Sequence, residues 1–133
     1  MPLIATCHCG ATKIELPGPP AEGTECNCTF CRRAGAVWAY YNPGELRFIS
    51  REQERLYSTN PEVHQHYFCG KCGTQTWGES PDWASLYNND GTPKSGDATA
   101  IPTAHKLSLN LKLIGELDLA TIDIVKVDGR NSW

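Results

Sequence analysis

Phe68-Cys69-Gly70-Lys71-Cys72-Gly73-Thr74 sets two thiols three positions apart and follows the second with a glycine. This is the form of a zinc knuckle, in which a glycine after the second cysteine lets the chain turn tightly and aim backbone amides at thiolate sulfur. Such a turn supplies half a tetrahedron. The matching half is read in Cys7-His8-Cys9-Gly10, which also ends on glycine. Four thiolates close the shell of one Zn2+ and leave no position for a substrate. Cys7, Cys9, Cys69 and Cys72 are therefore read as a structural zinc site whose loss unfolds the domain.

Three cysteines remain, in Cys26-Asn27-Cys28-Thr29-Phe30-Cys31. Seven cysteines cannot all pair as disulfides, the opening Met1 to Thr6 carries no secretory pattern, and the close spacing suits convergence on an ion. Three protein ligands around a tetrahedral ion leave a fourth position for water or a substrate thiol, so Cys26, Cys28 and Cys31 are the candidate catalytic site. An open zinc can lower the pKa of a bound thiol or polarise a carbonyl oxygen. Two plainer readings stand beside this one: a single zinc with spare thiols, or a trio closed by a histidine. His64 and His66 alternate on one strand and are the histidines placed for that role, although strand histidines are more often packed or solvated; His8 and His105 are weaker candidates. Arg32 and Arg33 follow Cys31 directly and are suited either to the carboxylates of a peptide-like thiol or to softening the charge of the thiolates.

Working outward from the cysteines, Leu3 to Leu16 reads as two strands around the Cys7–Gly10 bend, followed by a proline-broken loop to about Gly23. Thr29 to Arg33 makes one helical turn ended by Gly35. Val37–Tyr41 and Leu46–Ile49 read as a hairpin around Asn42-Pro43-Gly44, and Arg55–Ser58 with Val63–Phe68 as a second pair around Asn60-Pro61. Glu79 to Gly96 is dense in Ser, Pro, Asp, Asn and Gly and reads as a long surface loop. Leu107 to Leu113 alternates apolar and polar residues as a half-buried strand, Ile122 to Val127 partly repeats that alternation, and Asp128-Gly129 then turns the chain out. Trp38, Tyr40 and Trp77 are read as core in preference to pocket, whereas Trp83 and Tyr87 stand out as aromatics in a polar loop.

The chain has 133 residues, 40% of them hydrophobic and 20% charged, which predicts one domain, 1–133, with a modest core. A net charge of −3 with only 12 Lys and Arg argues against nucleic-acid binding. No stretch approaches the roughly 20 apolar residues of a membrane span, so a cytoplasmic location is expected.

Cys7-His8-Cys9-Gly10-Ala11, Cys26-Asn27-Cys28-Thr29-Phe30-Cys31-Arg32-Arg33, Phe68-Cys69-Gly70-Lys71-Cys72-Gly73-Thr74, Leu109-Asn110-Leu111 and Asp128-Gly129 together give a pattern covering nearly the whole chain. It resembles the glutathione-dependent formaldehyde-activating enzymes and their relatives, which include centromere protein V. The resemblance implies a mainly β, tent-like domain of antiparallel sheets with short helical turns, stabilised by zinc. It also implies two Zn2+ per chain, with the first and third cysteine pairs structural and the middle trio catalytic. The implied reaction is addition of glutathione to formaldehyde, classed by its reverse as carbon-sulfur lyase chemistry. Two other classes predict different behaviour: a non-catalytic zinc module binding glutathione or a protein partner, and a redox or metal sensor whose trio oxidises.

Overall fold

The computed structural model describes residues 3–132, so Met1, Pro2 and Trp133, the ends of the expected 1–133 domain, lie outside it. Its strands are β1 (Leu3–Thr6), β2 (Thr12–Leu16), β3 (Glu22–Cys26), β4 (Trp38–Tyr41), β5 (Arg47–Arg51), β6 (Glu54–Tyr57), β7 (Gln65–Cys69), β8 (Gln75–Pro81), β9 (His105–Asn110) and β10 (Asp123–Val127). The helices are α1 (Thr29–Ala34) and α2 (Gly129–Ser132), with three short 3-10 turns. The strands form a three-stranded sheet in the order β1-β2-β5 and a seven-stranded sheet in the order β10-β3-β4-β9-β8-β7-β6. The fold is mainly β, as expected, and one pair, β3 with β10, runs parallel.

The two sheets close on one core. Alternation in β9 turns Leu107 and Leu109 to the same side, and cross-strand register places Tyr41, Ala39 and Trp77 beside them. Ala5, Ile14 and Leu16 face them from the smaller sheet, with Leu46 and Leu111 filling the ends. Each leucine or isoleucine among them contributes about 1.5–3 kcal/mol through removal from water.

Several elements differ from the sequence reading. Val37–Tyr41 and Leu46–Ile49 are not a hairpin, because β4 pairs with β9 and β3 while β5 crosses to β2 in the other sheet. Glu22–Cys26, whose first two residues fall in the expected loop, is a strand held between β10 and β4. The long loop starts only at Asp82, since Gln75–Pro81 runs between β7 and β9. β9 ends at Asn110, whose side-chain oxygen accepts from the Lys112 amide and starts a 3-10 turn over Leu111–Leu113. After Asp128 the chain folds back as α2 instead of turning outward.

Tyr40 is also not core: it is 51% exposed, whereas Trp38 and Trp77 are buried. Thr24, Trp38, Tyr40, Ser108, Gly78, His66 and Tyr57 are linked residue to residue by strand register, so they share the sheet face turned away from the core. α1 reaches over this face and stacks Phe30 on the His66 ring, with centroids 3.8 Å apart and planes 17° from parallel.

Burial, helped by the neighbouring His64, pulls the His66 pKa down from 6.5 to about 4. Between those values an unfolded chain takes up a proton that the folded chain refuses, so stability falls as pH drops through this window and the loss is complete below about 4. The loss is at most about 3 kcal/mol, allowing for partial exposure of the ring. His66→Phe keeps a ring against Phe30 and should lose about that much less stability between pH 7 and pH 4 by urea denaturation. Equal losses in the two proteins would show that His66 does not set the acid limit.

Candidate metal centres

Both thiol clusters hang from one end of the seven-stranded sheet. Cys69 ends β7, Cys72 lies in the turn to β8, and Cys26 ends β3, all at the end where β9 finishes and β4 begins. The Cys7–Cys9 turn comes from the other sheet, so the first cluster joins the two layers.

Cys7, Cys9, Cys69 and Cys72 bring their four sulfurs within 4.8 Å of one another. Each turn closes on a glycine with positive φ, Gly10 at 82° and Gly73 at 79°. The Gly10 amide bonds to the Cys7 carbonyl at 3.1 Å, and the Gly73 amide to the Cys69 carbonyl at 2.7 Å. Four sulfurs about 2.3 Å from a central zinc form a tetrahedron with edges of roughly 3.8 Å. The Cys7–Cys9 and Cys9–Cys69 sulfur separations are both 3.7 Å, so these residues fit the ion.

The sulfurs also receive the donors a thiolate needs. The Thr12 amide lies 3.3 Å from Cys7, and the Thr74 hydroxyl 3.2 Å from Cys72. Thr74 is the main reason that the Cys72 thiol falls to about 5, with the Cys9 and Thr74 amides and the Cys69 thiol adding to its effect. Cys9 is pushed up to about 11: the Ala11 amide acts to lower it, but desolvation and the Cys69, Cys7 and Cys72 thiols prevail.

Cys26, Cys28 and Cys31 likewise place three sulfurs within 4.8 Å, and no fourth His, Cys, Asp or Glu among the described residues joins the group. Local folding converges them. Cys28 caps α1, its sulfur accepting from the Cys31 amide at 3.3 Å; Cys26 accepts from the Cys28 amide at 3.4 Å and from the Gly129 amide. Cys31 accepts from the Trp38 indole N–H at 3.4 Å. Burial drives Cys31 well above the ordinary thiol range despite that donor, and raises Cys26. Cys28 is lowered: burial opposes ionisation, but the Cys31 amide and the neighbouring thiols outweigh it. Charge therefore settles first on Cys28. Desolvation of the hydroxyl first, then the charge of the neighbouring trio, raises the Tyr40 phenol.

The turn between Cys26 and Cys28 is braced from far along the chain. The Asn27 amide donates to the Val127 carbonyl at 3.1 Å, its side-chain Nδ2 to Asp128 Oδ1 at 2.8 Å, and its Oδ1 accepts from the Arg130 amide at 2.9 Å. Asn131 Nδ2 holds both Asp128 oxygens, at 3.0 and 2.9 Å.

The other sequence candidates lie apart from the sulfurs. His64 and His66 pack on the sheet face and do not complete the trio. Arg32 and Arg33 are exposed on α1, where Arg33 Nη1 donates to the Thr29 carbonyl at 2.9 Å. Trp83 meets Tyr87 edge to face, and the Tyr87 hydroxyl donates to the Ala100 carbonyl at 2.6 Å, so these two organise the loop itself. Sequence reasoning missed the donor role of Trp38 and the Asn27–Asp128 brace. The available signal was an amide side chain enclosed by two cysteines at Asn27.

A family model described as glutathione-dependent formaldehyde-activating enzyme matches residues 2–104. A Halomonas elongata protein named "Putative glutathione-dependent formaldehyde-activating enzyme" is 26% identical over 124 residues, covering 84% of this chain and 78% of the relative. A crystal structure of a Rhodobacter sphaeroides protein superposes with a TM-score of 0.64 at 26% identity, over 93% of this chain and 98% of that one.

Proposed function

Because the chain belongs to the family of glutathione-dependent formaldehyde-activating enzymes, we propose that it is a zinc-dependent carbon-sulfur lyase or synthase that adds glutathione to formaldehyde at Cys26, Cys28 and Cys31. The observation that carries this reading is the trio itself: three converging sulfurs, each with an N–H donor, and no fourth ligand among the described residues. In the same reading Cys7, Cys9, Cys69 and Cys72 hold a second, structural zinc, and residues 1–133 act as one domain.

Zinc held by Cys26, Cys28 and Cys31 would supply Lewis acidity, which favours the thiolate form of a thiol at neutral pH. In the addition, a sulfur lone pair forms the C–S bond, the carbonyl π pair moves to oxygen, and that oxygen takes the proton the thiol gave up. Nothing is oxidised or reduced. The chain's own contribution is to aim three sulfurs at one point through the N-cap of α1, the Trp38 N–H and the Asn27 brace. Arg32 and Arg33 remain candidates for the carboxylates of glutathione. Seven free cysteines suit a reducing compartment, which favours the cytoplasm, and the acidic charge favours a small-molecule partner over nucleic acid. No helix among the described residues is long and apolar enough to cross a membrane.

The direct test is the rate of S-hydroxymethylglutathione formation by exchange NMR with zinc-loaded protein. Acceleration over the uncatalysed background is expected; its absence overturns the enzyme reading.

The brace makes a separate prediction. Asp128→Ala removes the acceptor for Asn27 and should weaken zinc binding at the trio about tenfold, as loss of supporting hydrogen bonds does at metal sites. Affinity at the four-thiol cluster should not change. Competition against a chromophoric chelator resolves the two, and equal affinities in mutant and wild type would remove Asp128 from the site.

A further inference from the structure

β3 and β4 are neighbours in the large sheet, but their ladder is reduced to one bridge, Thr24 opposite Trp38. The same register would next set Glu22 opposite Tyr40. The strands part there instead, leaving a groove of about 400 Å³ lined by Pro20, Ala21, Glu22, Thr24, Trp38 and Tyr40. The outer edges of both strands are occupied, β4 by β9 as far as Tyr41 and β3 by β10 from Glu22 onward. The Val37 carbonyl bonds toward β9 and the Ala21 carbonyl toward β10. By strand alternation, the Tyr40 and Glu22 amides and carbonyls therefore point into the groove, where neither serves the other.

A split between two strands with unspent backbone donors and acceptors is suited to an extended peptide backbone, which can pair with either edge. This split begins beside the trio, because Trp38, which forms its inner wall, also donates to Cys31. From Trp38 to Tyr40 is two strand residues, about 7 Å. A thiol with its sulfur at the trio thus needs an arm of roughly two residues to fill the groove. The Glu22 carboxylate on the wall favours a cationic group at the end of that arm.

We infer that the β3–β4 split is the binding groove for the aminoacyl arm of a peptidic thiol, paired to the Tyr40 and Glu22 backbone with its free α-ammonium at Glu22. The inference rests on the thiol-addition reading and adds where the thiol's arm is held and which residues of this chain select it. Thiols lacking an arm, or with the ammonium acylated, are the poorer substrates.

The test compares glutathione, N-acetylglutathione and 2-mercaptoethanol with zinc-loaded wild type and Glu22→Gln. Glutathione should be preferred over the other two in kcat/KM, and Glu22→Gln should reduce the preference over N-acetylglutathione about tenfold, the loss of one charged hydrogen bond. Amide NMR supplies a readout independent of turnover: glutathione should shift the Tyr40 and Glu22 amides, and 2-mercaptoethanol should not. Acceleration of all three thiols to the same degree, or shifts of those amides that are the same with both thiols, would overturn the groove while leaving thiol addition standing. No acceleration with any thiol would instead overturn thiol addition, and the NMR comparison would then decide whether the groove binds the arm.

Discussion

Cys28→Ser is expected to bring turnover down to the uncatalysed rate while the chain stays folded and its zinc content falls from two ions to one. Cys28 caps α1, bonds to the Cys31 amide, and is the trio sulfur whose acidity the local donors favour. Serine can still cap the helix, so the local fold survives. What disappears is a soft thiolate ligand, and two remaining sulfurs do not hold zinc in competition with cellular thiols. Metal analysis with the exchange-NMR rate checks both halves. A variant that keeps full activity with one ion would remove the trio from the chemistry; one that unfolds would make the trio structural.

Cys69→Ser should have the opposite profile: loss of the fold itself. Cys69 is fully buried, and the cluster ties the β1–β2 turn of the small sheet to the β7–β8 turn of the large one. Structural zinc contributes about 10–16 kcal/mol in small peptide sites. A domain of this size has a net stability of only about 5–15 kcal/mol. Losing even half of the metal's contribution therefore leaves little or nothing. Far-UV circular dichroism and amide dispersion should show an unfolded chain at 25 °C, with zinc lost from both clusters. A folded Cys69→Ser protein with intact activity would overturn the structural assignment.

The cysteine groupings were legible because convergence of thiols is written in short spacings: Cys69 and Cys72 with Gly73, or Cys26, Cys28 and Cys31, need little beyond local geometry to bring their sulfurs together. Strands with a period-two pattern were legible for a similar reason, as in Leu107–Asn110, where one face is buried. What stayed hidden was set by neighbours. Glu22-Gly23-Thr24-Glu25-Cys26 has no alternation of apolar residues and becomes a strand because β10 lies along it. Gly78-Glu79-Ser80-Pro81 carries turn-forming residues, yet β9 pairs along all of it and β7 along Gly78 and Glu79. Val37–Ile49 misled because a hairpin and a crossing between sheets have the same local sequence; the difference lies in β2 and β9, far away. The Asn27–Asp128 brace was hidden because it joins residues 101 positions apart.

That separation has a consequence for the order of assembly. The four-thiol cluster closes between residues 60 positions apart, Cys9 and Cys69, and its last sulfur belongs to Cys72. Contacts between remote parts of a chain carry a loop-closure cost before they return any energy, so they form late. A chain growing from its amino end presents all four thiols of the staple while Asp128 is still more than fifty residues from being made. On the proposed reading, the structural ion could thus be taken up by a growing chain and help it fold. The trio's sulfurs come from a single short segment, but the turn around Asn27 gains its brace only when β10 docks beside β3, which makes that turn the part of the cluster to be finished last.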